Sequence, residues 1–336
     1  MNDHYVYKSI FAPYMNSFIQ MKSSLGVGIL QYKCSLLEFD TFFVNTRVEE
    51  IRITREHITA WRNTRINDRK STLYLKFNHL QQFCRYLSYL GHECYIPPLP
   101  RRDHHSFIPY IFTHEQMKDI FNVCDRLTLK VRNMRSGLIS LPALFRLLYS
   151  TGMRINEALS LKNEDVDFER RQIILNYTKN RTQRLAPISS SLLIVLEQYK
   201  RYRNKLPVQN ITSPESYFFV STLGKRLDDS YIHYWFKRIL KECGIPFIGG
   251  GRGPRVHDIR HTCAVHALKK MVDENVDIYC ALPVLSVFIG HNNVNDTERY
   301  IRLTQEIYPD IIKMEQSVMS YVFPTKMKME VDNGND

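Results

Sequence analysis

The stretch Ile289-Gly290-His291-Asn292-Asn293-Val294-Asn295-Asp296-Thr297-Glu298-Arg299-Tyr300 sets a tyrosine nine residues after a Gly-His pair. Upstream lie His257-Asp258-Ile259-Arg260-His261-Thr262 and Thr151-Gly152-Met153-Arg154. Two arginines, two histidines and a tyrosine in that order suit the breaking of a phosphodiester without a metal. Such a reaction needs a nucleophile, stabilisation of the charged transition state and a proton for the leaving oxygen. Arginine suits the second task, because its planar fork matches phosphate oxygens and stays charged. Arg154 follows a Gly-Met turn at a helix start, where side chains and backbone donors meet an anion. His257 and Arg260 are three apart, hence on one face of a helix, and both could address one phosphate. Each residue has an ordinary reading by itself: a solvated arginine, a histidine capping helix carbonyls, one of 20 tyrosines packed in a core. Order and spacing together set the group apart.

The chain has 336 residues, enough for two domains and two cores, and 44% of them are hydrophobic, as in a globular protein. Its formal net charge of +12 favours a polyanionic partner, and both the first hundred residues and the remainder carry a basic surplus. The seven cysteines are odd in number and include no C-x-x-C pair, which reads as reduced thiols rather than a disulfide or zinc framework. His104 and His105 beside Cys94 come nearest to a metal cluster, and they fall in an expected linker. No apolar run is long enough to span a bilayer and no secretory signal is visible, so the expected location is the cytoplasm, with no membrane partner.

Ile96-Pro97-Pro98-Leu99-Pro100-Arg101-Arg102-Asp103 is rich in proline and charge. Proline fixes φ and removes a donor, so this piece is expected to be extended, a basic linker over 97–112. Before it, Leu73, Leu75, Phe77, Leu80, Phe83, Leu87 and Leu90 recur at helical steps across 71–90, with Gly91 as a C-cap. Thr54 reads as the N-cap of a short helix through Trp61, and residues 15–44 as one or two more helices. An all-α N-terminal domain over 1–96 follows. After the linker, Thr113 and Gln116 have capping-box spacing. Helices are expected over 141–150, stopped by Gly152, and from just after Arg154 to Leu161. The period then changes: Gln172–Tyr177 and Arg184–Ile188 read as a small hairpin around a polar turn at 179–183. Helices resume over 190–203, 230–243, 258–271, 284–289 and 306–321. The result is a mainly α fold with a small antiparallel β-sheet over 113–324, an α+β catalytic domain, and a flexible polar tail over 325–336.

With those elements placed, the motifs resemble the catalytic domain of the tyrosine recombinase (phage integrase) family. The family's first motif, T-G-x-R-x-x-E, is matched by Thr151-Gly152-Met153-Arg154-Ile155-Asn156-Glu157; the second, close to H-x-L-R-H-T, by His257 to Thr262; the third by Gly290-His291 with Tyr300 and Thr297. Lys179 falls where the family places a lysine on a hairpin, though Arg181 and Arg184 compete for that place. His261 and His266 are alternatives to His257, and Arg260 fixes the register in favour of His257.

The resemblance implies that Tyr300 attacks a scissile phosphate to give a 3′-phosphotyrosine and a free 5′-hydroxyl. Arg154 and Arg260 would clamp the non-bridging oxygens, and Lys179 would protonate the leaving oxygen. His257 would assist as acid and base on the tyrosine side, His291 would hydrogen-bond the phosphate, and Glu157 would orient the basic groups around it. No cofactor, metal or ATP would be needed. The N-terminal helices would be a core-type DNA-binding domain. The partner would be double-stranded DNA at a specific site, gripped by a homo-tetramer on two sites, with accessory proteins an open matter. Ile311, Met314, Val318 and Tyr321 form an apolar helical stripe that would pack on its own domain or on a neighbouring protomer. The leading reading is a site-specific recombinase serving integration, excision or transposition of a mobile element. A type IB topoisomerase and an inactive DNA-binding accessory protein are the other readings, the first differing in relaxing supercoils without strand exchange.

Overall fold

The computed structural model describes residues 5–101, 108–128, 136–176, 183–247, 253–291 and 295–307. The chain divides into two compact units, Met1–Phe107 and Ile108–Asp336. Lys179, Arg181, His104, His105 and the stripe from Ile311 to Tyr321 lie outside the described residues.

The first unit holds α1 (Ala12–Ser24), α2 (Leu30–Asn45), α3 (Arg55–Asn63) and α4 (Lys70–Tyr89). Helix α3 starts where Thr54 Oγ1 accepts the His57 amide, while His57 Nδ1 accepts the Thr54 amide, each at 3.3 Å. A histidine thus completes the reciprocal cap that a glutamate or glutamine usually makes. Aromatic side chains fill the core: Phe39 lies 4.4 Å from Trp61 and Phe11 4.6 Å from Phe43, centroid to centroid. Such tilted pairs add to the transfer free energy of rings that are all but fully buried. Two polar groups are buried among them with partners, as burial requires. Asp40 accepts the amides of Lys8 and Ser9 at 2.7 and 2.8 Å and the Ser9 hydroxyl at 2.6 Å, tying the segment before α1 to α2. His79 on α4 shares a 2.8 Å hydrogen bond with Ser35 on α2, and burial pushes its pKa down to about 4.

The second unit opens with α5 (His114–Arg126), capped by Thr113 and Gln116 in reciprocal bonds of 3.1 and 3.0 Å. Helix α6 (Leu141–Thr151) buries Leu141, Leu144, Phe145, Leu147 and Leu148, and is therefore central. It ends at Gly152, whose φ of +60° is left-handed and cheap only for glycine. Then come α7 (Ile155–Leu159), β1 (Val166–Asp167), β2 (Gln172–Leu175), β3 (Arg184–Pro187), α8 (Ser190–Arg203) and α9 (Asp229–Glu242). The three strands form one antiparallel sheet in the order β1-β2-β3, with Ile173 opposite Ala186 and both buried. Strands β2 and β3 are the expected hairpin; β1 is an added edge of two residues, too short to leave a pattern. Side chains from α5, α6, α8, α9 and the sheet make one apolar cluster.

Helices α10 (Val256–Asp273), α11 (Ile278–Ile289) and α12 (Asn295–Ile307) complete the unit and share a second apolar cluster. Here the sequence expectations need two corrections. Helix α11 begins six residues before the expected start and carries Pro283 inside it, because burial of Ile278, Ala281 and Leu282 holds the turn that proline disfavours. Helix α12, which carries Tyr300, was not expected: its first turn, Asn295-Asp296-Thr297-Glu298, is polar and hides the apolar run that follows. The fold is mainly helical with one small antiparallel sheet, as the residue pattern predicts.

Candidate active site

Four elements of the second unit bring the sequence motifs together. Arg154 is the N-cap of α7, held by Glu157 one turn on: the Glu157 carboxylate accepts the Arg154 amide at 2.9 Å and its Nη1 at 2.8 Å. Glu157 is buried, and its second oxygen also meets Arg184 Nη2 from β3 at 3.3 Å. Burial alone would raise the Glu157 pKa, but the Arg154 amide and the two guanidiniums outweigh it and hold the group below the usual carboxylate range.

Arg260 projects from α10 and is 2% exposed. Its Nη1 donates to the Gly152 carbonyl at 2.7 Å, so the turn after α6 aims it. Its Nη2 is buried and finds no hydrogen-bond partner among the described residues. A buried donor left open is costly, and such an atom is suited to an incoming oxygen. Burial, and next Arg154, pull the Arg260 pKa down to about 10, with Tyr300 and Glu157 opposing. Even so the guanidinium stays charged at neutral pH. Arg154, Arg260, Glu157, Arg184 and Tyr300 therefore lie within electrostatic reach of one another.

Tyr300 on α12 is fully buried in the cluster shared by α10, α11 and α12. Its hydroxyl lies 2.9 Å from Nδ1 of His261, which is also buried. His291 stacks near its ring, 6.0 Å between centroids and 13° from parallel, while His291 Nδ1 shares a 2.9 Å hydrogen bond with Thr297 Oγ1. His257, one turn before His261, is exposed and meets the His261 ring edge-on at 4.9 Å. Two residues that the sequence ranked low thus stand in the group. The sequence favours His257 over His261 because Arg260 fixes the motif register, which says nothing of ring direction. Arg184 was a competitor for the place of Lys179; its Nη1 instead donates to the Phe288 carbonyl at 2.5 Å, just ahead of Gly290 and His291.

Gly290 explains how these parts fit. It turns the chain from α11 toward His291 at φ +70°, and a Cβ there would stand 2.7 Å from Arg184 Cδ. Only glycine permits both the turn and the approach. Asp258 binds the Arg255 amide at 2.8 Å and the Arg255 guanidinium at 3.3 Å, so both carboxylates near the site are committed to arginines. Among the described residues no group of three His, Cys, Asp or Glu is placed to hold a metal, and no helix is long and apolar enough to cross a membrane.

The family model described as the phage integrase family matches residues 111–306. A putative integrase/recombinase, y4rB, of Sinorhizobium fredii is 28% identical over 308 residues, covering 91% of this chain and 96% of that protein. Tyrosine recombinase XerA of Pyrococcus horikoshii is 31% identical over 198 residues, 59% of this chain and 58% of that one. Among solved structures, the XerH site-specific recombinase bound to difH substrate has a TM-score of 0.63 at 19% identity, covering 88% of this chain and 83% of its own. The Tn1549 transposon integrase in complex with transposon right end DNA has a TM-score of 0.60 at 15% identity, covering 88% and 99%. Over more than half its length, and with its motif residues gathered at one place, the chain belongs to the phage integrase family and is a tyrosine-type recombinase.

Proposed function

We propose that the protein cuts and rejoins DNA at a specific site through a 3′-phosphotyrosine on Tyr300, in the service of a mobile element. The observation that carries this reading is the gathering of Arg154, Arg260, Glu157 and Tyr300 around an unfilled guanidinium donor, Arg260 Nη2. In the reaction, Tyr300 Oη attacks the scissile phosphorus while Arg154 and Arg260 neutralise the non-bridging oxygens. Preorganised cations in a site shielded from water are worth most when charge develops on the phosphate. Lys179 protonates the departing 5′ oxygen, His291 hydrogen-bonds the phosphate and His257 supplies acid–base help on the tyrosine side. Glu157 holds Arg154 in place. A 5′-hydroxyl from the partner strand then attacks the phosphotyrosine, so the bond energy is kept.

In this reading residues 1–96 are a core-type DNA-binding domain, joined by the linker 97–112 to a catalytic domain over 113–324. Four protomers act on two sites. The surplus of cations in both parts favours duplex DNA, and binding weakens steeply as salt rises. The protein works in the cytoplasm, on the nucleoid when bound.

The test is a nicked suicide substrate carrying the end sequence of the host element, incubated with EDTA and resolved on a denaturing gel. Wild type is expected to form a covalent protein–DNA band, and Tyr300→Phe to bind the same DNA without forming one. Arg154→Ala or Arg260→Ala should slow band formation by at least about a hundredfold, the scale for losing one transition-state donor. A band from Tyr300→Phe overturns the nucleophile.

A further inference from the structure

The oxygen of Tyr300 lies at hydrogen-bond distance from a titratable side chain, His261 Nδ1 at 2.9 Å, and both residues are buried. The rings are 5.7 Å apart, tilted by 49°, so the bond runs roughly edge to edge rather than across a stack. His291 lies over the ring of Tyr300 instead, with its own Nδ1 at Thr297. His257 is at the solvent end of the row, against His261. Positions 257, 260 and 261 lie on one face of α10, so the helix that carries Arg260 also sets His261 against the Tyr300 oxygen.

We propose that His261 is the catalytic residue that takes the proton of Tyr300 as its oxygen attacks phosphorus, and that His257 acts through it. This rests on Tyr300 being the nucleophile. In the forward step the Tyr300 O–H bond breaks and its proton moves to Nδ1 of a neutral His261, whose single ring proton sits on Nε2, leaving an imidazolium. The Tyr300 Oη–P bond forms, the P–O5′ bond breaks, and the leaving oxygen takes a proton from Lys179. In the reverse step the partner strand's 5′ oxygen gives its proton to Lys179 and bonds to phosphorus. The Tyr300 oxygen then leaves and recovers the proton from His261. Burial suits the task, since an acceptor shielded from water and fixed at hydrogen-bond distance needs no reorganisation when the proton moves.

The test uses full-length protein and the nicked suicide substrate under single turnover. His261→Asn keeps an acceptor oxygen near the position of Nδ1 but cannot take up a proton. It should bind the DNA like wild type and form the covalent band at least about a hundredfold more slowly, the lower range for general acid–base help. Fluorotyrosine placed at position 300 is a more acidic phenol and should shrink that defect at least tenfold. Added imidazole should restore cleavage to His261→Gly, which loses the ring and leaves a space of its size. His261→Asn cleaving at the wild-type rate overturns the proposal, and so does a faster rate, which would make the hydrogen bond a restraint. A defect that neither fluorotyrosine nor imidazole changes also overturns it, since a packing role predicts that pattern. A covalent band from Tyr300→Phe would instead strike at the nucleophile, so the two failures are told apart.

Discussion

Replacing Gly290 with alanine tests how the third motif is joined to the first. The residue has φ +70°, where a side chain costs about 1–2 kcal/mol. The new Cβ would stand 2.7 Å from Arg184 Cδ and 2.8 Å from its Nε, short of the 3.4 Å at which ordinary contact begins. Arg184 must retreat by about 0.7 Å, the difference between those two limits. Its bond to Glu157 is already 3.3 Å long and does not survive that shift. A hydrogen bond to a charged group contributes about 1.5–3 kcal/mol. The single substitution should therefore cost about 2.5–5 kcal/mol, the two contributions taken together. In an Arg184→Ala background nothing is left to strike, and the cost should fall to the backbone share of about 1–2 kcal/mol. The double-mutant cycle then has a coupling energy of about 1.5–3 kcal/mol. The protein has two tryptophans, Trp61 in the first unit and Trp235 in the second, so a Trp61→Phe background leaves Trp235 to report urea unfolding of the unit concerned. Equal costs of Gly290→Ala in the two backgrounds would refute the reasoning: Arg184 would not be what requires glycine there.

Glu157→Gln should destabilise the second unit by about 3 kcal/mol and slow cleavage more than it weakens DNA binding, because it leaves the half-buried Arg154 and Arg184 facing one another without their carboxylate; an unchanged unfolding midpoint would count against it. The Glu157 carboxylate is held below its usual pKa in the fold, so its share of stability is full above the unfolded value of 4.5 and is lost as pH falls through the folded one, and the Gln variant should lack that acid limb. His79 titrates near 4 in the fold against 6.5 when unfolded, so the unfolded chain binds the proton first. Stability of the first unit should fall as pH drops from 6.5 toward 4, by up to about 3 kcal/mol, and His79→Gln should flatten that slope in melts followed through Trp61. An identical slope in the variant would remove His79 as the cause.

Much of this fold can be read locally. Thr54 and Thr113 are capping residues as their spacing predicts, α8 has the expected bounds of Ser190–Arg203, and Gly152 ends α6. These features depend on residues within one turn of each other. What escaped depends on tertiary contacts. The sequence pattern starts α11 only at Val284, after Pro283, whereas burial against α10 extends the helix back through the proline. Motif order points to the residues around Tyr300 but not to α12, whose polar first turn masks it. The 2.9 Å contact of His261 with Tyr300 spans 39 positions, and the approach of Arg184 to Gly290 joins a strand to a helix end. Spacing along a chain carries no information on which way a ring or a guanidinium turns.

In the proposed reaction Tyr300 does two jobs with different atoms. Its ring fills a core between three helices, as a leucine or phenylalanine would, while a single oxygen carries the chemistry of that reaction. Emptying the position to alanine would cost about 3–5 kcal/mol and confound misfolding with lost reactivity, which makes phenylalanine the only clean control. The same division bears on ancestry. A copy of this gene released from selection for catalysis, but still held to a folded DNA-binding protein, can surrender the oxygen freely and the ring only at the expense of its core. Decayed relatives should therefore carry phenylalanine here far more often than small or polar residues, and the substitution would date the loss of the reaction before the loss of the fold.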